Sequence, residues 1–369
     1  MSTRDRIVNF SPGPGVLPVP VLEQVQAEVV SLPGVGVSPL EVSHRSTWFE
    51  GVIGEAEANL RQLLGIGSSH HVVFCQGGAT MQFAMAPMNL LRQRPAAYVL
   101  TGSWGAKAFR EATRHGDARV AWTDEGAGYT RVPTDDDLAS AIQGPVSFVH
   151  ITTNETIQGV EFPETPTVAD EAVLVADASS DFLSKPSDVS SYGLLYAGAQ
   201  KNAGPAGVTV AIVRDDVLAQ AREGLPTMLD YRTYVEHGSL YNTPPVFAIY
   251  VLMLVTRWIR DEVGGLEAMA ERNRAKAALL YDVIDAEPDF YRGHAEPRSR
   301  SSMNVTFRLP SPGLERRFLA DASDRGLREL KGHRSVGGIR ASIYNAMPVE
   351  GVERLAEFMR GYVSRSATP

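Results

Sequence analysis

Cysteine is nearly absent. Cys75 is the single one among 369 residues, so no internal disulfide can form. That thiol count suits a reducing compartment. Long apolar runs are also missing. The longest, Val246 to Val255, falls well short of the ~20 residues that cross a bilayer, and it reads as a buried helix. The first residues carry no apolar signal core, so the expected location is the cytoplasm, with no membrane partner. A basic excess is lacking too: 35 Lys and Arg stand against 43 Asp and Glu, a net charge of −8, which disfavours a nucleic-acid partner. The eight histidines and one cysteine show no ligand spacing, so no metal is expected. There is no internal repeat and no low-complexity linker. What remains is ordinary globular composition, 44% hydrophobic and 21% charged, long enough for one large domain and a smaller one.

The chain centres on Tyr196-Ala197-Gly198-Ala199-Gln200-Lys201-Asn202. An apolar run from Gly193 to Ala199 leads into one lysine. Gly204-Pro205-Ala206-Gly207 and a second apolar run, Val208 to Val213, follow. This predicts strand, sharp turn, strand. A solvated turn lysine is the plain reading. The alternative is a partly desolvated amine with a lowered pKa, able to form a Schiff base. Upstream, the β-like run Val173 to Ala176 ends in Asp177. An aspartate past one strand and a lysine past a later one form the pair that pyridoxal phosphate (PLP) needs. The aspartate keeps the pyridine nitrogen protonated and the lysine holds the aldehyde.

Asn9 to Pro20 is rich in proline and glycine and is expected to be an extended arm rather than helix. A helix is expected over Val21 to Ser31 and a long amphipathic one over Thr47 to Leu64. His44 and Arg45, just before the latter, are either a polar loop or a cationic pair offered to an anion across a subunit interface. A strand at Val72 to Cys75 is followed by Gln76-Gly77-Gly78-Ala79-Thr80 and a helix from about Met81 to Leu91. Paired glycines before a helix free backbone N–H groups for a phosphate, although they are more often a plain turn. A strand at Tyr98 to Leu100 precedes Trp104, which is either core or a flat surface for an aromatic ring. The run Val146 to Ile151 ends in Thr152-Thr153-Asn154-Glu155-Thr156. Five strands thus each deliver a capable group past their C-terminal ends, where open α/β sheets bind ligands. Phosphate cradle, ring stacker, polar partners, pyridine partner and lysine share one client. The stretch from about Gly116 to Gln143 names no site.

Near the end, Lys331, His333, Arg334 and Arg340 occur with no acid between them. A solvated basic loop is one account. Arg340, however, lies in Gly-Ile-Arg-Ala-Ser-Ile, a strand pattern, and a buried arginine needs an anion, so it reads as a carboxylate clamp. His44/Arg45 and His333/Arg334 would then bind a second anionic group.

Several segments resemble the phosphoserine aminotransferases, among the class V aminotransferases: Glu41-Val42-Ser43-His44-Arg45, Asn154-Glu155-Thr156-Ile157, Ala197 to Gly207, Tyr241-Asn242-Thr243-Pro244-Pro245, Lys331-Gly332-His333-Arg334 and Gly337 to Asn345. The resemblance covers nearly the whole chain. It implies an α/β chain of PLP-dependent fold type I, with a large domain (18–264) on a mainly parallel seven-stranded sheet. A small α+β C-terminal domain (265–369) and an N-terminal arm (1–17) complete it. It further implies that Lys201 carries PLP, Asp177 pairs with the pyridine nitrogen, Trp104 stacks on the ring and Thr156 lies near the ring hydroxyl. Ala79, Thr80 and Gln200 would hold the phosphate, with Asn242 and Thr243 from the second subunit of a homodimer with shared active sites. Arg340 would bind the substrate carboxylate. His333 and Arg334, with His44 and Arg45 of the other subunit, would bind the substrate phosphate. Relatives often carry a third glycine where Ala79 stands; backbone donors survive that change.

The implied reaction is reversible amino transfer between L-phosphoserine and 2-oxoglutarate, yielding 3-phosphohydroxypyruvate and glutamate, in serine biosynthesis. Relatives in vitamin B6 synthesis extend it to 4-phosphohydroxy-L-threonine. Serine or alanine–glyoxylate aminotransferases, a desulfurase-like lyase relying on Cys75, and a non-catalytic anion-binding protein are the alternatives.

Overall fold

The structure is a computed structural model, described over residues 6–168 and 172–366. The outermost residues of the expected arm and C-terminal domain, 1–5 and 367–369, lie outside it. Seven strands form the main sheet: β1 (His70–Cys75), β2 (Ala96–Leu100), β3 (Ala118–Thr123), β4 (Phe148–Thr152), β5 (Val173–Asp177), β6 (Leu194–Gly198) and β7 (Thr209–Arg214). Their order is β1-β7-β6-β5-β4-β2-β3. Only β7 runs against its neighbours, pairing antiparallel with β1 and β6; the other pairs are parallel. The C-terminal ends of β1, β2, β4, β5 and β6 therefore share one edge of the sheet.

The strands are Val-, Leu- and Ala-rich because helices cover both faces. Side-chain alternation sorts each strand between two apolar layers. Leu174 and Ala176 of β5 join Phe74, Val99, Ile151 and Leu195 under the helices Thr47–Leu64 and Val246–Trp258. Val175 joins Val73, Tyr98, Phe148 and Tyr196 under Gly78–Leu90 and Ser103–Ala112. Cys75 belongs to this second layer. Its thiol is fully buried, and burial pushes its pKa up to about 12. A mobile thiolate of the kind a desulfurase needs is excluded there.

A separate cluster packs the C-terminal strands Asn304–Arg308 and Ile339–Ser342 against the helices Leu266–Ala286 and Val349–Ser366. Val8 and Phe10 belong to that cluster, and Val8–Asn9 pairs in parallel with Leu327–Arg328. The proline-rich arm is extended as expected, but only as far as Pro18. Val19 and Pro20 open the helix Val19–Glu28, since proline is tolerated in a first turn where the N–H has no partner anyway. β3 lies in the stretch that named no site. It is an edge strand, half exposed, so it carries no apolar run to announce it. Among the described residues no helix is long and apolar enough to cross a membrane, and no cluster suits a metal ion.

Candidate active site

Past the shared sheet edge lies a cavity of about 270 Å³. Ala79, Thr80, Trp104, Thr156, Asp177, Gln200, Lys201, His333 and Arg340 all border it. The segments that follow the main strands supply all but the last two of these, and the C-terminal region supplies His333 and Arg340.

Lys201 sits in the turn between β6 and β7. Its Nζ donates to Thr156 Oγ1 at 2.6 Å and lies 5.5 Å from the centre of the Trp104 ring. Burial pushes the amine below its ordinary pKa; the Asp177 and Glu155 carboxylates pull it back and Arg340 pushes it down again. Strand register brings Asp177 beside Tyr196 on β6. One Asp177 oxygen accepts from Ser179 N at 3.0 Å and Ser179 Oγ at 2.6 Å. The other accepts from no described residue. Burial raises this carboxyl, while Lys201 and the Ser179 hydrogen bonds lower it, and a further cation beside it would favour its ionised form.

The helix Gly78–Leu90 starts with its first N–H groups free, with no side chain capping them. Gly77 and Gly78 have φ of +89° and +66°, the left-handed region, and a Cβ on Gly77 would lie 2.6 Å from that of Met81. Only glycine turns the chain this sharply, which leaves the Gly78, Ala79 and Thr80 amides aimed past the sheet edge. The arm closes the opposite side. Gly15 N donates to Gln200 O at 2.7 Å, and a Cβ there would sit 2.7 Å from the Lys201 carbonyl. Tyr344 Oη donates to Pro12 O at 2.6 Å.

Two site features escape the sequence reading. Glu155 is fully buried beneath the helix Ser103–Ala112 and accepts from Trp104 N at 2.9 Å and Gly105 N at 2.7 Å. Burial pushes its carboxyl up to about 7. Gln158 accepts from Ser103 N at 3.2 Å and donates to Ser103 Oγ at 2.8 Å. The short hairpin Asn154–Glu155/Val160–Glu161 therefore caps the helix that presents Trp104. The same turn reaches the C-terminal region: Thr306 Oγ1 donates to Gln158 O at 2.7 Å, and Arg340 donates to the Thr156 carbonyl at 3.3 Å. Glu155 stands in the segment Asn154-Glu155-Thr156, but nothing in that segment shows which distant helix its carboxylate meets.

The remaining predicted residues lie apart. Arg334 is exposed beside His333, outside the cavity wall. His44, Arg45, Asn242 and Thr243 do not border this cavity either. The loop holding the last two touches the β1 turn where Gln76 donates to Thr243 O at 3.0 Å. Burial, then Arg340, Lys107 and Arg334, push the His333 imidazole below its ordinary pKa.

The model of the family "Aminotransferase class-V" matches residues 7–355. A phosphoserine aminotransferase of Rhodopirellula baltica is 50% identical over 365 residues, covering 98% of this chain and 96% of its own. The solved phosphoserine aminotransferase of Bacillus circulans subsp. alkalophilus superposes with a TM-score of 0.95 at 48% identity, covering 98% of this chain and all of that one. A PLP-bound phosphoserine aminotransferase from Trichomonas vaginalis superposes at 0.90 with 37% identity, covering 96% and 100%. With a family model spanning most of its length and relatives of this identity end to end, the chain belongs to the phosphoserine aminotransferases within the class V aminotransferase family.

Proposed function

We propose that this protein is a PLP-dependent aminotransferase that moves an amino group reversibly between L-phosphoserine and 2-oxoglutarate; its relatives are named phosphoserine aminotransferases, one of them PLP-bound. One observation carries the reading: a half-buried lysine, a buried aspartate with a free oxygen and a buried arginine border one cavity.

The residues present fit the cofactor. Uncapped amides at Gly78–Thr80 suit its phosphate. Trp104 Nε1 and Arg340 Nε are buried without partners, and Asp177 keeps one oxygen free. Gln200, with Asn242 and Thr243 of a second copy, completes the phosphate site in this reading. Bound PLP supplies the electron sink that makes a substrate Cα–H acidic. Lys201, its amine desolvated, takes the Cα proton and returns it on the other side of the transfer as general base and then acid. Thr156 Oγ1 orients that amine. Asp177, held by Ser179, keeps a proton on the ring nitrogen, and the cation it gains there offsets its burial. Arg340 holds the substrate carboxylate, exchanging its long bond to the Thr156 carbonyl for a two-pronged ion pair. His333 and Arg334, with His44 and Arg45 of a second copy, hold the phosphate of one substrate and the distal carboxylate of the other.

The reading includes a homodimer. His44, Arg45, Asn242 and Thr243 lie outside this cavity, and segments near them expose Val30, Val35, Val37, Leu40 and Tyr241, apolar surface that a second copy would cover. It also includes the division near Gly264, supported by the separate C-terminal apolar cluster, and a cytoplasmic location, consistent with the lone cysteine.

Lys201→Ala tests the chemistry. Turnover of phosphoserine with 2-oxoglutarate should fall by about a thousandfold or more, the scale of a lost acid–base group. Turnover within tenfold of the parent would remove Lys201 from the reaction.

A further inference from the structure

We propose that Lys107 is a ligand for the distal anionic group of the substrate, a phosphate or a carboxylate. The proposal rests on reading the site as one for amino acids that carry such a group. The helix Ser103–Ala112 enters the cavity wall at Trp104, and Lys107 lies one turn further along the same face. Lys107 is exposed, but its side chain folds back toward the ring. The ammonium sits 3.9 Å from the centre of the Trp104 ring, over the aromatic wall that Trp104 shares with His333 and Arg340.

No acid claims this ammonium. Among the described residues Lys107 makes no ion pair. Glu111, one turn on and the natural i+4 partner, is taken by Arg114 at 2.9 Å and His115 at 3.5 Å. Lys107 also lies close enough to His333 to suppress its protonation, together with Arg340 and Arg334. Lys107, Arg340 and Arg334 all act on His333 and no carboxylate offsets them there, so a dianion arriving beside His333 relieves the repulsion among these three charges. A cation held only by a half-buried aromatic face is weakly held and leaves readily for an anion. An ammonium on a flexible stem, three donors around a point charge, meets a tetrahedral phosphate and a planar carboxylate equally well. That suits a pocket that must accept both in turn.

Lys107→Met keeps the stem against Trp104 and removes the charge. The expected result is a KM for O-phosphoserine raised about tenfold, the scale of one lost charged hydrogen bond. The KM for 2-oxoglutarate should rise likewise, with kcat within about twofold. Inorganic phosphate, titrated into the holoenzyme by calorimetry, should bind about tenfold more weakly. The slow reaction with serine, which has no distal anion, should not change, and Lys107→Arg should recover most of the loss. If phosphate binding is unchanged, or if serine and phosphoserine suffer alike, Lys107 merely props the Trp104 ring and the proposal is wrong. If the parent enzyme itself fails to prefer phosphoserine over serine, the reading of the whole site fails first, and the two failures are told apart by that control.

Discussion

Glu155 shows how much one side chain does in this site. It does not border the cavity, yet it fixes the backbone of Trp104 and Gly105 from below. Burial raises its pKa from 4.5 to about 7, so the folded protein holds a proton there that the unfolded chain releases. A raised carboxyl stabilises the fold below its unfolded pKa, and that contribution is lost as pH climbs through the folded value. Stability should therefore fall between about pH 4.5 and 7. Asp177 and Asp181 are pushed the same way by burial and steepen the fall. Glu155→Gln cannot titrate. Urea unfolding of this variant should show a shallower decline across that range than the parent; an identical slope would mean that Glu155 is ionised throughout. The sequence makes Lys201 and Asp177 legible because each ends an apolar strand, a local signal. It hides Glu155, Gln158 and Lys107 because their meaning depends on a helix or loop far away in the chain.

At the scale of elements, the long helix Leu266–Ala286 does more than cover the C-terminal sheet. Lys276 on it is fully buried and has no acid partner among the described residues. Its ammonium donates to the carbonyls of Ile343 at 2.9 Å, Tyr344 at 2.7 Å and Met347 at 3.3 Å. Asn273, on the adjoining turn, donates to Asn345 Oδ1 at 2.8 Å. The helix thereby gathers the loop that follows the Arg340 strand, and through Tyr344 that loop reaches the arm at Pro12. Lys276→Met would strand those carbonyls without donors. The expected loss is about 3 kcal/mol in denaturant unfolding, the scale of breaking a buried charged network. A loss below about 1 kcal/mol, within the ordinary range of point changes, would show that water replaces the ammonium. Helix Thr47–Leu64 runs as the apolar periodicity predicts, and the strands of the sheet fall within a few residues of their apolar runs. The edge strand β3 and the first turn of Val19–Glu28 do not announce themselves. One is too exposed to be apolar, and the other begins on a proline that usually breaks helices.

For the whole molecule, the parallel sheet decides where chemistry happens. Five strands pointing the same way bring residues from Ala79 to Lys201 to one edge, and the C-terminal region swings His333 and Arg340 over it. That convergence is readable in the sequence only as a list of polar groups after apolar runs; the sheet order turns the list into a site. The arm's course is not readable at all. Its prolines predict an extended chain but not that Gly15 will lie against the Lys201 turn. The central claim is that this edge holds PLP and selects an amino acid with a distal anion. The most direct measurement is a visible-absorbance titration of the purified protein with O-phosphoserine, with serine in parallel. The account predicts a yellow protein whose colour bleaches with phosphoserine and hardly changes with serine. Equal bleaching by serine, or a protein that stays colourless after PLP is added, would contradict it.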